Sequence, residues 1–390
     1  MKTLFFFAAL LGLLACKGPE NQNAQDSLST QNTCDTSSNQ KNPSDLDYDI
    51  GEILLVGFRG TEVDKKNHIR RDIKDYHVGS VILFDYDAPT GSRGRNIKNS
   101  KQIKALCKQL RELSPTLLIG IDQEGGRVSR LSTKYGFPYI MSAQRSAELG
   151  YDTVRYYARK TAEMLSGLGI NLNFAPVADI NVNPDCPVIG KLERSFSTKP
   201  SVVTQCCTLW IDEQHAQGVA CCLKHFPGHG SATGDTHKGL VDVSDTWQRG
   251  ELTPYRKLCK MDNLDMVMTA HVINRQLDPS GLPASLSPKI TSYLRDTLGF
   301  QGVIITDDLA MGAIVNEYTL EQTVRMALDA GADLLCLSNN GGYGYDPEIV
   351  PKVVKIIKKL VDDGTVSPER IHQSAERVRA LKRRFSTTTQ

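Results

Sequence analysis

The sequence predicts a (β/α)8 barrel, a single α/β domain spanning residues 47–385. From residue 50 onward, eight short apolar segments alternate with segments of helical periodicity. Polar side chains follow most of these apolar segments directly, as at the catalytic rim of such barrels. A doubly wound open sheet is the alternative, but no G-x-G-x-x-G motif follows the first predicted strand, so a dinucleotide-binding sheet is not supported.

The predicted strands are nearly continuous apolar runs, which are typical of parallel strands buried on both faces. They lie at 53–57, 80–84, 116–121, 170–174, 219–223, 265–269, 302–306 and 333–337. The connection over 58–79 is the least regular, and the first strand could equally be part of a helix.

Amphipathic segments separate most of the strands. The clearest helices are predicted at 152–168, 288–298, 319–329 and 347–361. Asp152 is predicted to cap the first of these, and Gly167 or Gly169 to end it. Ser287 is a suitable cap for the second, with Pro288 in its first turn.

Residues 1–16 resemble a bacterial export signal, with Lys2 followed by an apolar run that is too short to span a bilayer. The run ends in Leu13-Leu14-Ala15-Cys16, which resembles the lipobox of bacterial lipoproteins, in which the cysteine is lipidated. Ordinary signal cleavage beside a chance cysteine is the alternative. We therefore expect an exported lipoprotein, anchored to a membrane of the bacterial cell envelope through Cys16 and facing the periplasm or the cell surface.

The segments that flank the barrel are polar, and the charges of the whole chain nearly cancel. Residues 17–46 are polar and predict a disordered tether, and residues 386–390 predict a frayed tail. The 46 basic and 44 acidic residues nearly balance, so we expect no nucleic-acid partner.

The adjacent pairs Cys206-Cys207 and Cys221-Cys222 lie in apolar segments, and most of the ten cysteines are predicted to be buried rather than bridged.

Polar residues follow six of the eight predicted strands. They are Asp122, Asp179, Lys224, His271, Asp307 and the pair Ser338-Asn339. Because the carboxyl ends of barrel strands meet at one rim, these side chains are predicted to surround a single pocket. The alternative is that strand exits are polar because loops are solvated, which explains one or two such residues more easily than all of them.

The most reactive segment is Lys224-His225-Phe226-Pro227-Gly228-His229-Gly230, followed by Asp235-Thr236-His237. Its glycines predict a loop. An Asp235 carboxylate bonded to His237 would favour the protonated imidazole, which could donate a proton and later remove one. Asp307 directly follows a buried strand, and such rigid support suits a nucleophile. Taken alone, the Asp–His pair could be a solvated surface pair, and one of Asp307 and Asp308 could cap the next turn.

Five further groups suit a hydroxyl-rich ligand, although each one alone is more often a surface residue or a structural ion pair. They are Asp122, Arg130, Arg194, Lys224 and His225.

Six motifs, taken together, resemble glycoside hydrolase family 3 from about residue 50 to residue 380, and most closely its single-domain β-N-acetylglucosaminidases of the NagZ type. The motifs are Gly120 to Val128, Asn173 to Asp179, Glu193 to Phe196, Lys224 to Gly230, Asp235 to His237 and Thr306 to Met311. The family usually has Ser where this chain has Thr236, and its recycling enzymes are often cytosolic.

The resemblance implies a role for each matching residue. Asp307 matches the nucleophile, His237 the general acid/base and Asp235 its partner. The groups that would hold N-acetylglucosamine are Asp122, Arg130, Arg194, Lys224 and His225. The implied enzyme is a retaining β-N-acetylhexosaminidase, acting on peptidoglycan fragments or chitin-like oligosaccharides through a covalent glycosyl-Asp intermediate. We expect it to be a monomer without cofactor or metal.

Three alternative functions remain open. A glycoside phosphorylase would use the same scaffold, since a neutral imidazole does not repel phosphate. An exported sugar-binding lipoprotein would keep the fold without catalysis. A zinc-dependent hydrolase would take its ligands from His225, His229, His237, His271 and Asp307.

Overall fold

In a computed structural model, which describes residues 43–341 and 344–385, a parallel eight-stranded sheet occupies the centre of the domain. The strands are β1 (Leu54–Gly57), β2 (Ser80–Leu83), β3 (Leu118–Ile121), β4 (Leu172–Asn173), β5 (Ala220–Phe226), β6 (Met266–Thr269), β7 (Val303–Thr306) and β8 (Leu335–Leu337). Their order in the sheet is β7-β6-β5-β4-β3-β2-β1-β8. Each strand therefore lies beside its neighbour in sequence, and β8 pairs with β1.

The sheet closes on itself between β7 and β8. Ile305 and Leu334 form a parallel bridge, and the Thr306 N–H donates to the Leu334 carbonyl at 3.2 Å. In return, the Leu334 N–H donates to the Ile304 carbonyl at 3.1 Å. The (β/α)8 barrel is thus confirmed, and the open-sheet alternative is wrong.

Helices lie between the strands and at both ends of the domain. They are α1 (Pro43–Glu52), α2 (His68–Asp75), α3 (Ser100–Leu113), α4 (Ala143–Glu148), α5 (Tyr151–Leu168), α6 (Pro200–His215), α7 (Thr253–Leu258), α8 (Pro288–Ser292), α9 (Gly312–Val315), α10 (Leu320–Ala330), α11 (Ile349–Asp362) and α12 (Pro368–Phe385). The irregular connection over 58–79 contains α2. Because α1 begins at Pro43, the last four residues of the predicted tether belong to a helix.

Two predicted helix boundaries need correction. Gly150, not Asp152, precedes α5, so the Asp152 carboxylate lies in the first turn of the helix rather than at its cap. The helix ends at Gly169, whose φ of 84° is left-handed, and Gly167 lies inside it. Ser287 caps α8 as predicted, its hydroxyl accepting from the Ile290 N–H, but regular α-helix stops at Ser292 and a π-helical turn follows.

All eight strands differ from their predicted bounds by one to three residues at an end, and β4 and β5 differ most. β4 keeps only Leu172–Asn173 of the predicted 170–174. β5 runs on to Phe226, past the predicted end at residue 223, so Lys224 lies inside the strand. An apolar-run criterion misses this extension, because the charged side chains that continue the strand are buried by pairing with other charges in the rim.

The core has an inner and an outer part. Inside the barrel, apolar side chains from all eight strands meet, and α12 contributes Val378 and Leu381 to the same cluster. Larger clusters fill the space between strands and helices. The eight cysteines within the described ranges are free and buried, which confirms the prediction for them.

The predicted signal, Cys16, most of the predicted tether and the predicted tail lie outside the described residues. Among residues 43–341 and 344–385, no helix has both the length and the apolar character needed to cross a membrane.

Candidate active site

A cavity of about 480 Å³ opens at the carboxyl ends of the barrel strands. Seven of the eight predicted substrate-binding and catalytic residues line it, and the eighth, Asp235, lies behind His237. The seven are Asp122, Arg130, Arg194, Lys224, His225, His237 and Asp307. The structure therefore brings residues from β5 and from the loops after β3, β4, β5 and β7 to one pocket. Phe84, Phe174 and Met268 contribute an apolar floor.

One side of the cavity is a compact cluster of paired charges. The Lys224 ammonium donates to Asp122 at 2.9 Å and contacts Glu124 at 2.8 Å. Arg194 donates two parallel hydrogen bonds to Glu124, each 2.8 Å long, and Arg130 donates to Asp122 at 3.3 Å. Such charge-assisted, bidentate contacts fix side chains in position before a ligand arrives.

The pairing keeps this cluster ionised. Burial raises the pKa of Asp122, but the positive charges of Lys224 and Arg130 outweigh it, and the net pKa lies below its ordinary value. The pKa of Glu124 is lowered in the same way, where Arg194 and Lys224 outweigh burial. Burial lowers the pKa of Lys224, yet the two carboxylates raise it to a net value above the ordinary one.

His225 faces the same side and is held from behind by Asp179. Its Nδ1 lies 2.6 Å from an Asp179 oxygen, and its Nε2 lies 3.3 Å from an Arg194 nitrogen. Arginine can only donate, so Nε2 accepts and the imidazole proton is on Nδ1. Asp179 also accepts from the His229 N–H at 2.8 Å, and its carboxylate is fully buried.

Asp307 follows β7 on the opposite side of the cavity. Its carboxylate accepts the Asp308 N–H at 2.8 Å. Burial raises the pKa of Asp307, but His271, His225, this hydrogen bond and His237 lower it to a net value below 3.8. Asp308 instead accepts from the Ala310 N–H, the Ser338 N–H and the Ser338 hydroxyl, so it shapes the turn and leaves Asp307 facing the pocket.

His271 lies behind this turn rather than in the cavity lining. Its Nε2 is 2.9 Å from the Asp308 carbonyl, and its Nδ1 is 2.6 Å from the Ser285 hydroxyl. A carbonyl only accepts, so Nε2 carries the proton and Nδ1 accepts from Ser285. Burial lowers the pKa of His271, which keeps the ring neutral and in place.

His237 lies on the loop after β5, with 64% of its side chain exposed. An oxygen of Asp235 accepts from its Nδ1 at 2.8 Å and from its backbone N–H at 2.9 Å. Burial raises the pKa of Asp235, and the two hydrogen bonds from His237 lower it to a net value below the ordinary one. Since Nδ1 is held by Asp235, Nε2 is the atom available for proton transfer.

Two residues of the site were not assigned a role from sequence. Glu124 joins Arg194 and Lys224, and Asp179 supports His225 from below the cavity. The alternation Asp122-x-Glu124 was an available signal, because residues two apart point to the same side of extended backbone. Asp179 and His271 were predicted at the rim and lie just beneath it.

Of the residues in the zinc hypothesis, His225, His229, His237 and Asp307 line the same cavity, and His271 lies outside its lining. Within the described ranges, no group of three His, Cys, Asp or Glu side chains is placed to hold a metal ion. His225, His237 and His271 each use a ring nitrogen on another protein group.

Comparison with known proteins shows the family of this chain. A family model described as the glycosyl hydrolase family 3 N terminal domain matches residues 45–381. A Beta-hexosaminidase of Alkalilimnicola ehrlichii is 34% identical over 334 residues, which cover 82% of this chain and 87% of that protein. One from Haemophilus influenzae is 39% identical over 298 residues, covering 73% and 79%.

Solved structures agree in fold. A glycoside hydrolase family 3 beta-N-acetylglucosaminidase from Paenibacillus sp. superposes with a TM-score of 0.77 at 34% identity, covering 87% of this chain and 62% of that longer protein. A Beta-N-acetylhexosaminidase from Beutenbergia cavernae gives 0.76 at 28% identity, covering 86% and 98%.

Proposed function

Because this chain belongs to glycosyl hydrolase family 3, we propose that it is a retaining β-N-acetylhexosaminidase with Asp307 as nucleophile and His237 as general acid/base. One observation carries the assignment. An ionised carboxylate at the end of β7 and an imidazole fixed by Asp235 line the same cavity. The substrate is a glycan with a terminal, non-reducing N-acetylglucosamine.

In the first step, the Asp307 carboxylate attacks the anomeric carbon while His237 Nε2–H protonates the glycosidic oxygen. The bond from C1 to that oxygen breaks, a glycosyl ester forms, and the aglycone leaves as an alcohol. In the second step, neutral His237 removes a proton from water, which attacks C1 and releases Asp307. Two inversions give overall retention.

The paired charges on the other side of the cavity hold the sugar. The oxygens of Asp122 accept hydrogen bonds from sugar hydroxyls, and Arg130, Arg194 and Lys224 donate to hydroxyl or N-acetyl oxygens. Since these groups already bind one another, little reorganisation is needed when the substrate enters.

The nucleophile assignment is tested with Asp307→Asn, which should abolish release of N-acetylglucosamine from an aryl glycoside. Asp262→Asn, an exposed change in the turn before β6, is the matched control and should keep full activity. Near-normal turnover in Asp307→Asn would reject the nucleophile role.

The acid/base assignment is tested with His237→Ala on two substrates. Chitobiose needs a proton donor for its leaving sugar, whereas a 2,4-dinitrophenyl glycoside does not, so only chitobiose should lose about 100-fold or more in kcat/KM. An equal loss on both would count against the proton-donor role. Product analysis with and without phosphate separates free sugar from sugar 1-phosphate.

For the natural substrate, we propose N-acetylglucosaminyl anhydro-muropeptides or chitin-like oligosaccharides. Comparing kcat/KM for a purified muropeptide with that for chitobiose decides between them, and the better substrate by tenfold or more identifies the class.

We also propose that the protein is exported and anchored to a cell-envelope membrane through lipidated Cys16, which the sequence of residues 1–16 supports. The mass of the mature N-terminal peptide tests this directly. We expect a diacylglyceryl cysteine at position 16, and loss of membrane association in Cys16→Ala. A mature chain that begins at another residue without lipid would refute the anchor.

A further inference from the structure

The loop that carries the acid/base is attached to the segment that follows the nucleophile. The Gly312 N–H donates to the His237 carbonyl at 3.2 Å, and the Ala313 N–H donates to the Thr236 carbonyl at 3.1 Å. Both donors lie in the first turn of α9, which starts five residues after Asp307. Backbone amides at a helix start lack partners in the helix, so they are free to bind these carbonyls.

Gly312 makes this close approach possible. A Cβ added at this position would lie 2.6 Å from the His237 carbonyl oxygen and 2.8 Å from the Lys238 carbonyl carbon. Both distances are well below ordinary van der Waals contact, and the obstructing atoms are backbone atoms. The reason for glycine here is therefore space, because its φ is not in the left-handed region.

Two further contacts hold the backbone of the same loop. Thr236 is buried, and its hydroxyl lies 3.2 Å from His229 Nε2. The Asn316 side-chain amide donates to the Lys238 carbonyl at 3.1 Å. The His237 ring nevertheless stays largely exposed. The loop backbone is thus fixed on both sides of His237 while its ring reaches into the cavity.

We propose that Gly312 is a positioning residue that sets the distance between His237 and Asp307, because the chain after the nucleophile is the surface on which the acid/base loop rests. The proposal rests on the proposed function. It means that the two catalytic groups, which are 70 positions apart in sequence, share one local support.

The test compares Gly312→Ala with Gly239→Ala. Gly239 lies in the same loop, and a Cβ there would meet nothing within 4 Å, so it is a matched control. Gly312→Ala should lower kcat/KM for chitobiose about 100-fold, which is the lower end of the range for losing a general acid. The loss in kcat/KM for a 2,4-dinitrophenyl glycoside should be less than about threefold. Azide, which needs no general base, should raise kcat for the activated substrate and give the β-glycosyl azide. Gly239→Ala should match the unmodified protein in kcat/KM for both substrates and in its response to azide.

A second variant, Asn316→Ala, keeps the test decisive if Gly312→Ala folds poorly. Asn316→Ala removes the hydrogen bond to the Lys238 carbonyl at an exposed position and should lower kcat/KM for chitobiose about fivefold, with no loss on the activated substrate. In a His237→Ala background, neither Gly312→Ala nor Asn316→Ala should cause a further loss on chitobiose, since the group they position is already gone.

Three results would overturn the proposal. They are equal losses of kcat/KM on both substrates, a loss in Gly239→Ala equal to that in Gly312→Ala, and additive losses in the His237→Ala background. These outcomes differ from failure of the proposed function. In that case His237→Ala itself would show no dependence on the leaving group.

Discussion

We expect Glu251 to make the stability of the protein depend on pH. It lies beneath the Lys224 to Gly230 segment, and a Cβ at Gly228 would be 2.8 Å from its carboxylate. The Gln248 N–H donates to Glu251 at 3.0 Å, closing a helix cap. Burial raises the pKa of Glu251 from 4.5 to about 7, outweighing the Gln248 hydrogen bond that favours the anion.

The direction in which stability changes with pH follows from proton binding to Glu251. Between pH 4.5 and pH 7 the folded protein holds a proton on Glu251 that the unfolded chain releases, so stability is present below pH 4.5 and lost as pH rises through 7. A pKa change from 4.5 to about 7 corresponds to about 3 kcal/mol at 1.36 kcal/mol per pH unit. Glu251→Gln keeps the oxygen that accepts from Gln248 and cannot ionise.

The free energy of unfolding is measured by urea denaturation, under reducing conditions, at pH 4.5, 6, 7 and 8. Relative to the unmodified protein, Glu251→Gln should gain about 3 kcal/mol in unfolding free energy between pH 4.5 and pH 8. Glu317→Gln, an exposed change, should leave the pH dependence unaltered. Parallel curves for Glu251→Gln and the unmodified protein would refute the reasoning.

Three further predictions concern activity. Arg194→Lys keeps the charge but loses the paired hydrogen bonds to Glu124, so KM for an aryl N-acetylglucosaminide should rise about tenfold with a smaller change in kcat; an unchanged KM would contradict the binding role. Thr236→Val removes the hydroxyl that contacts His229 and should lower kcat about fivefold, whereas Thr236→Ser should not. Because the pKa of Asp307 lies below 3.8, kcat/KM should fall only below about pH 4 on the acidic side; a fall that begins above pH 5 would argue against Asp307 as the ionised nucleophile.

The fold was predictable because local sequence patterns indicate its strands and helices. Buried parallel strands read as apolar runs, and all eight were found within a few residues of their observed bounds. The errors arose where long-range contacts override a local pattern. β5 continues through Lys224 because carboxylates from the loop after β3 neutralise it, and those partners are about 100 residues away in sequence. Asp152 resembles a cap in isolation, but the chain turns two residues earlier, at Gly150.

The site was predictable to the extent that each residue type suggests its own chemistry. The Asp235–His237 pair is local and could be recognised from its spacing. Glu124 could not be placed in this way, since its role depends on Arg194, a partner 70 residues away. The supporting contacts of Gly312 are equally hidden, because they involve backbone atoms that sequence patterns do not describe.

The pairing pattern also supports the proposal that Asp307 is the nucleophile among the carboxylates of the cavity. Four carboxylates within the described residues line the cavity, namely those of Asp122, Glu124, Asp307 and Asp308. The first two are bound by cations that lower their pKa, and ion-paired carboxylates are poor nucleophiles and poor proton donors. Asp308 is occupied by three donors from its own turn and from Ser338. Asp307 remains as the carboxylate available for the proposed nucleophilic role. The proposed proton donor is then His237, whose imidazole Asp235 holds beside a site rich in acids.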